Sequence, residues 1–330
     1  MHVVVLDDFH QVYEASPHLA RLRERATVTI HTDAATDHDT LVARLRGAQA
    51  LIANRERSRL TAELFDALPE LELIAQTGTG LAHIDVPAAT ARGIVISTTP
   101  GGSTDAVVEA TFALVFAVLR HLSYFDRTLH AGQWPQRVGR NLSGRTFGVV
   151  GLGRIGDRVA RIAAAFGARV LAWSPHGTPE RAAAVGAEYC ADLDALLRQS
   201  DVVSIHVRLS PQSRGLIDRR RLALMPDGAV LINTARGPIV DEAALVDELN
   251  AGRLWAGLDV YDHEPLPTDH PLRRAEQAVL LPHVGWVTEE TYDLFIGGSV
   301  DNILAYLDGR PANVANPDAL ARPRGSRAAR

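Results

Sequence analysis

An α/β fold with two parallel-sheet domains is what the sequence predicts, and three observations carry it. Short β-rich runs alternate with stretches whose apolar residues recur at helical spacing. The alternation stops at Thr98-Thr99-Pro100-Gly101-Gly102 and then resumes as a second series. A last helical stretch, Thr288 to Leu307, lies too far from that second series to belong to it and is assigned back to the first domain. Strands alternating with helices imply a parallel sheet covered on both faces.

In the first series, Val3–Leu6, Val28–His31, Leu51–Ala53, Leu73–Ala75 and Ile94–Ser97 read as strands. Leu41–Arg46 and Thr61–Leu68 read as helices between them. After the Pro-Gly break, Thr104 to Leu122 reads as one long helix, apolar on most faces through Phe112, Ala113, Leu114, Val115, Phe116, Ala117, Val118 and Leu119. Such a helix must be buried, in its own domain's core or against a second subunit. The second series has strands at Thr146–Val150, Val170–Trp173, Val202–Val207, Val230–Asn233, Gly257–Val260 and Val279–Leu281. Its helices fall near Arg158–Phe166, Asp192–Gln199 and Glu242–Asn250. The tail from Pro311, rich in Ala, Pro and Arg, is expected to end disordered.

At 330 residues the chain has room for two cores. A net charge of -5 argues against a general nucleic-acid grip, which needs a basic field. The single cysteine, Cys190, permits no internal disulfide, and no activating partner for it is visible. The apolar stretch Ala106–Leu119 contains Glu109 and falls short of the ~20 residues that span a membrane. The N-terminus lacks the basic leader and apolar length of a signal peptide, so a cytoplasmic protein is expected. The thirteen histidines are scattered without ligand spacing, so no metal site is expected. His263, His270, Asp262 and Asp269 read as a solvated connector.

The run Phe147-Gly148-Val149-Val150-Gly151-Leu152-Gly153-Arg154-Ile155-Gly156 is the most informative local signal. Gly151 permits a tight turn, Gly153 lets the backbone approach a pyrophosphate, and Gly156 lets a helix sit close to the strand. The helix N-terminus then offers free N–H groups and partial positive charge to the phosphates. The motif alone is weak; between a strand and a helix it points to a dinucleotide. At the end of the next strand an acidic residue would accept a ribose 2′-hydroxyl and repel a 2′-phosphate. Ser174-Pro175-His176 stands there instead, so NAD is the expected cofactor and NADP stays open.

Three later segments each follow directly from a predicted strand. They are Asn233-Thr234-Ala235-Arg236-Gly237-Pro238, Gly257-Leu258-Asp259-Val260-Tyr261-Asp262-His263-Glu264-Pro265 and Pro282-His283-Val284-Gly285. Residues at the carboxyl ends of parallel strands line the ligand crevice. These segments resemble those of the D-isomer-specific 2-hydroxyacid dehydrogenases, and reducing a 2-keto acid, as the resemblance implies, needs a cation for the carboxylate, a proton donor for the carbonyl oxygen and a source of hydride. Arg236 offers a planar fork for carboxylate and carbonyl oxygens. His283 is the natural proton donor, since imidazole titrates near working pH. Glu264 would hold the other ring nitrogen, fixing the tautomer and favouring the imidazolium. Each residue alone also admits a structural reading; their joint occurrence with the glycine turn favours chemistry.

With these motifs in this order, the chain resembles the D-isomer-specific 2-hydroxyacid dehydrogenases, whose relatives include glyoxylate/hydroxypyruvate reductases and phosphoglycerate dehydrogenases. The resemblance runs from Gly78-Thr79-Gly80 to Asn313-Val314-Ala315-Asn316-Pro317. It implies two Rossmann-like domains, with a coenzyme domain of about 100–286 inserted into a flavodoxin-like substrate domain of about 1–99 plus 287–330. By motif match it implies Arg236, Glu264 and His283 as the active site. It places Thr234, Ala235 and Gly285 near the nicotinamide and its ribose, Asp259 at the carboxamide, and His206-Val207 beside the adenosine. Gly78-Thr79-Gly80 would give backbone N–H groups to the substrate carboxylate, as glycines allow close approach. Closure on substrate would exclude water. A homodimer is implied, with Thr104–Leu122 as a candidate interface element. His83 and Asp85 are read as structural.

Gln76 precedes the carboxylate loop, where the related phosphite dehydrogenase carries Lys; that argues against phosphite as substrate. Trp286 follows His283 closely and reads equally as a pocket wall or as interdomain packing. Two alternatives stay open: an NAD-responsive binding protein resembling corepressors of the C-terminal-binding-protein type, and a dehydrogenase of another small anion.

Overall fold

The computed structural model describes residues 1–322 and 324. The chain divides into two compact units, Met1–Ser103 with Thr288–Arg330, and Thr104–Val287. In the first unit, β1 (His2–Val5), β2 (Thr27–Ile30), β3 (Ala50–Ala53), β4 (Leu73–Gln76) and β5 (Val95–Thr98) form a parallel sheet in the order β2-β1-β3-β4-β5. β3 and β4 are buried along their whole length, as strands covered on both faces must be. The order reverses between β1 and β3, and ligands of open α/β sheets bind outside such a point. The helices α1 (Pro17–Arg23), α2 (His38–Leu45), α3 (Ala62–Asp66) and α4 (Val86–Ala91) start at Ser16, Asp37, Thr61 and Asp85, whose side chains accept N–H groups of the first turn. Each such cap contributes about 1 kcal/mol. Asp85 is thus a helix cap.

The second unit opens with α5 (Thr104–Leu119) and α6 (Leu122–His130). The single helix expected over Thr104–Leu122 is therefore two, bent by 67°. The break is His121, whose left-handed backbone (φ 52) cannot continue an α-helix. α5 packs on α7 (Arg154–Ala165) and on the sheet of its own unit. Gly257 makes this possible: a Cβ there would press on Leu114 and Ile232. Of the two covers open to α5, its own core thus supplies most.

The sheet comprises β6 (Thr146–Val150), β7 (Arg169–Trp173), β8 (Glu188–Tyr189), β9 (Val202–Ile205), β10 (Val230–Asn233), β11 (Trp255–Leu258) and β12 (Ala278–Leu280). All pairings are parallel, in the order β12-β11-β10-β9-β6-β7-β8, with the reversal between β6 and β9. β11 begins two residues before the expected Gly257, and Asp259 and Val260 lie beyond it. The helices α8 (Pro179–Ala183), α9 (Leu193–Gln199), α10 (Arg219–Leu222) and α11 (Glu242–Asn250) connect the strands. Core side chains such as Phe147, Leu196 and Leu231 are fully buried, each worth about 1.5–3 kcal/mol. The connector 261–270 is exposed in part only: His270 pairs with Glu242 at 3.2 Å and accepts the Leu272 N–H.

The last helix, α12 (Glu289–Leu307), starts at its cap Thr288 and packs in the first unit on α1, β4 and β5. The tail from Pro311 is not loose through residue 322. Val314 bridges Ser97 antiparallel to β5, and the Asn316 amide accepts from Ile96 N at 2.7 Å and donates to Ile94 O at 2.9 Å. A buried amide with that many partners is worth the ordering of the segment. Residues 325–330, the end of the tail for which disorder is expected, lie outside the described residues.

Candidate active site

The glycine turn leaves β6 at the point where the strand order reverses. Gly151 (φ 108) has a backbone that favours glycine, its N–H donates to Trp173 O at 2.7 Å, and a Cβ on it would press on the His206–Val207 backbone. A Cβ on Gly156 would collide with the Gly151 carbonyl, so α7 can approach β6 only with glycine there. Gly153 differs: a Cβ on it would meet nothing within 4 Å. The surface over Gly153 is open, as a pyrophosphate requires. Gly153 also caps α7 without a side chain, so the N–H groups at Arg154 and Ile155 face outward from a twelve-residue helix. The residues present therefore fit a dinucleotide.

Ser174, half-buried at the end of β7, stands where the ribose acid would be. His206 Nε2 lies 2.8 Å from Ser204 Oγ, and burial pushes its imidazole down to about 3. It stays neutral beside the glycine turn. Thr234 is buried, with its hydroxyl 3.1 Å from that of Thr111.

Arg236, Glu264 and His283 all belong to the second unit. Asn233, at the end of β10, shapes the first turn: its Oδ1 accepts from Ala235 N and its Nδ2 donates to Arg236 O, both at 3.0 Å. A Cβ on Gly237 would collide with the Tyr261 backbone, so this turn lies directly on the chain leading to Glu264. Glu264 is held twice. Its Oε1 accepts from Tyr261 N at 3.0 Å and its Oε2 lies 2.6 Å from His283 Nδ1. Burial alone would raise the Glu264 carboxyl. The hydrogen bond and charge of His283, the Tyr261 N–H and the nearby Arg236 outweigh burial and hold it below its ordinary value. His283 itself sits at φ 57, an unfavourable backbone for a residue with a Cβ. The following turn is fastened by Asp259, whose Oδ1 accepts from Val284 N at 2.8 Å and Oδ2 from Gly285 N at 2.9 Å. Burial raises the Asp259 carboxyl against the pull of those two N–H groups. Trp286 is 4% exposed.

In the first unit, the loop Gly78-Thr79-Gly80 follows β4. Gly78 (φ 79) donates its N–H to Thr99 Oγ1 at 2.6 Å. Its N–H is therefore not the carboxylate donor expected of it. Among the described residues no group of the chain takes the N–H of Thr79 or Gly80.

Sequence reasoning did not assign Asn233. A short polar side chain at a strand end, two residues before the amide it accepts from, is the signal for such a turn.

The fold and these residues define a nicotinamide-dependent oxidoreductase. Residues 112–285 match the family described as D-isomer specific 2-hydroxyacid dehydrogenase, NAD binding domain. The chain is 38% identical over 314 residues to the glyoxylate reductase of Thermofilum pendens, covering 92% of each. It is 42% identical over 260 residues to the D-3-phosphoglycerate dehydrogenase of Mycobacterium tuberculosis, covering 78% of this chain and 49% of the other, so it matches about half that enzyme's length. Among solved structures, phosphoglycerate oxidoreductase from Vibrio cholerae superposes with a TM-score of 0.88 at 33% identity over 94% of this chain and 99% of that one. D-lactate dehydrogenase from Aquifex aeolicus, complexed with NAD and lactic acid, gives 0.79 at 27% identity over 98% of each. The chain belongs to the D-isomer specific 2-hydroxyacid dehydrogenase family and is an NAD(P)-dependent oxidoreductase acting on CH–OH donors.

Proposed function

We propose that this chain interconverts a small 2-keto acid and its 2-hydroxy acid with Arg236, Glu264 and His283 as its catalytic residues. The observation that carries the reading is the 2.6 Å contact of His283 Nδ1 with Glu264 Oε2, in the unit that holds the glycine turn. The nicotinamide, when bound, supplies or accepts the hydride. Arg236 holds the substrate's carboxylate and carbonyl oxygens in one fork. With Nδ1 on Glu264, His283 presents Nε2 to the carbonyl oxygen and gives it a proton; in the oxidising direction the same nitrogen takes the proton back. Ser174 takes the ribose hydroxyls, and Thr234, Ala235, Asp259, Gly285, His206 and Val207 lie along the cofactor. Thr79 and Gly80 give their N–H groups to the substrate carboxylate.

The match to glyoxylate reductase along nearly the whole of both chains supports a short 2-keto acid, glyoxylate or hydroxypyruvate. The test is absorbance of NADH or NADPH with glyoxylate, hydroxypyruvate, pyruvate and phenylpyruvate. Oxidation with glyoxylate and hydroxypyruvate is expected, with NADH the better of two usable cofactors. No oxidation with any of these 2-keto acids overturns the substrate reading and favours an NAD-responsive binding role or a dehydrogenase of another small anion.

The protein is proposed to be a cytoplasmic homodimer, which its single cysteine and its nicotinamide requirement fit. With α5 mostly buried, the interface falls to α6 and the segment after it. Leu122 and Leu129 are exposed there, Trp134 is 81% exposed and Val138 92%. Apolar side chains that bare in one region mark an association surface. Light scattering is expected to give twice the 35.6 kDa chain mass, and Trp134→Glu to shift it toward one.

A further inference from the structure

The C-terminal edge of the first unit's sheet carries a buried polar network with no part in the chemistry above. Gln76, the last residue of β4, is fully buried. Its Nε2 donates to Arg55 O at 3.1 Å and to Thr77 O at 2.9 Å. That orientation leaves Oε1 as the acceptor, and His83 Nε2 lies 3.1 Å from it. His83 is therefore the tautomer with its proton on Nε2. Burial pushes its imidazole below its ordinary value, so it remains a neutral donor. The residue so gripped, Arg55, has a left-handed backbone (φ 58), and its N–H donates to Thr77 Oγ1 at 2.8 Å. Both backbone groups of a strained, non-glycine residue are thus fixed by β4 and the residue after it. Strain of this kind persists only where the surroundings over-determine it, and it gathers at ligand clamps.

The Arg55 guanidinium lies against the Gly78–Gly80 loop. A Cβ on Gly78 would collide with Arg55 Nη1, and one on Gly80 with the Glu56 carboxylate. The Arg55 guanidinium also lies over the Phe295 ring, 5.5 Å from its centre, and its Nε faces Glu56 at 3.8 Å. The glycines of the loop therefore make room for these side chains. Arg55 stands beside β3, next to the reversal of strand order, where ligands of such sheets bind.

We propose that Gln76 is a positioning residue that locks Arg55 over the Gly78–Gly80 loop, where its guanidinium binds the substrate's anionic group together with the Thr79 and Gly80 N–H groups. The proposal rests on the reading of that loop as the carboxylate site. In Gln76→Leu the two carbonyls lose their donor and the Arg55 backbone relaxes. The expected result is a KM for the preferred 2-keto acid raised tenfold or more, with kcat within about twofold and NADH affinity unchanged. Arg55→Met should raise KM comparably. The double variant should be little worse than either single one, because each removes the same contact. Gln76→Leu with unchanged KM overturns the proposal, as do two effects that multiply. A purely structural Gln76 would lower the melting temperature and leave KM alone. Calorimetric titration of the NADH complex with oxalate supplies a readout independent of turnover. Oxalate bound by the native protein and weakened in both variants supports the positioning role even if no 2-keto acid is reduced. Equal oxalate affinity in all three overturns it.

Discussion

Replacing His283 with Ala is expected to lower kcat for 2-keto acid reduction by about 10²–10⁴-fold while NADH binds nearly as before. The range is what a positioned general acid contributes. The proposed pyrophosphate contacts lie away from His283, on the turn around Gly153 and the start of α7. Single-turnover absorbance and NADH fluorescence titration read the two quantities separately. Turnover close to native would remove His283 from the mechanism. The companion Glu264→Gln tests the brace. Both Glu264 oxygens face donors, Tyr261 N–H and His283 Nδ1. A Gln can accept at only one of them, and its NH2 must face the other. Activity should therefore fall in Glu264→Gln with little loss of volume or packing. The pH dependence has a definite sign. The folded Glu264 carboxyl is held below its ordinary value, so its pairing contributes stability above the unfolded carboxyl value of ~4.3. That contribution is lost as pH falls through the lower, folded value, and Glu264→Gln should lack this part of the acid transition.

Most strands were legible because buried parallel strands are apolar runs with few alternatives. β6 and β10 begin and end where Thr146–Val150 and Val230–Asn233 place them. The glycine turn was legible because each glycine answers a separate steric demand, and Gly151, Gly153 and Gly156 have three different surroundings. Short capped helices were harder. α1, α4, α8 and α10 are too brief for periodicity to show, although Ser16-Pro17 and Thr178-Pro179 carry start signals. The bend at His121 was hidden, because nothing in an apolar run announces one residue in a left-handed conformation. The pairing of Glu264 with His283, nineteen residues apart in sequence, was legible through the family motifs together with the needs of the chemistry. The grip of Gln76 on Arg55 had no such chemical cue, since it depends on β3 and β4 being neighbours in register. The seating of Asn316 had no local cue for the same reason: it reads as a loop residue until β5 stands beside it.

Asp259→Ala is expected to cost both stability and turnover. Its two carboxylate oxygens accept the N–H groups of Val284 and Gly285, the two residues after His283. Each buried N–H left without an acceptor costs about 1–3 kcal/mol. His283 also loses the anchor for a left-handed backbone (φ 57), a conformation that costs about 1–3 kcal/mol where it must be maintained. The turn should relax and carry the imidazole away from Glu264, so that kcat falls with the melting temperature. Part of the cost is returned, because burial disfavours the Asp259 carboxylate and Ala removes that charge. Asp259→Asn separates the terms. It keeps one acceptor oxygen but sets its NH2 against the other N–H, so its loss should be intermediate and its stability less dependent on pH. The contact with the nicotinamide carboxamide predicts a different pattern, a weaker NADH complex with an unaltered melting temperature. Thermal unfolding, kcat and NADH titration on the two variants divide these roles. With both oxygens already engaged by the backbone, the larger change is expected in the first two measurements.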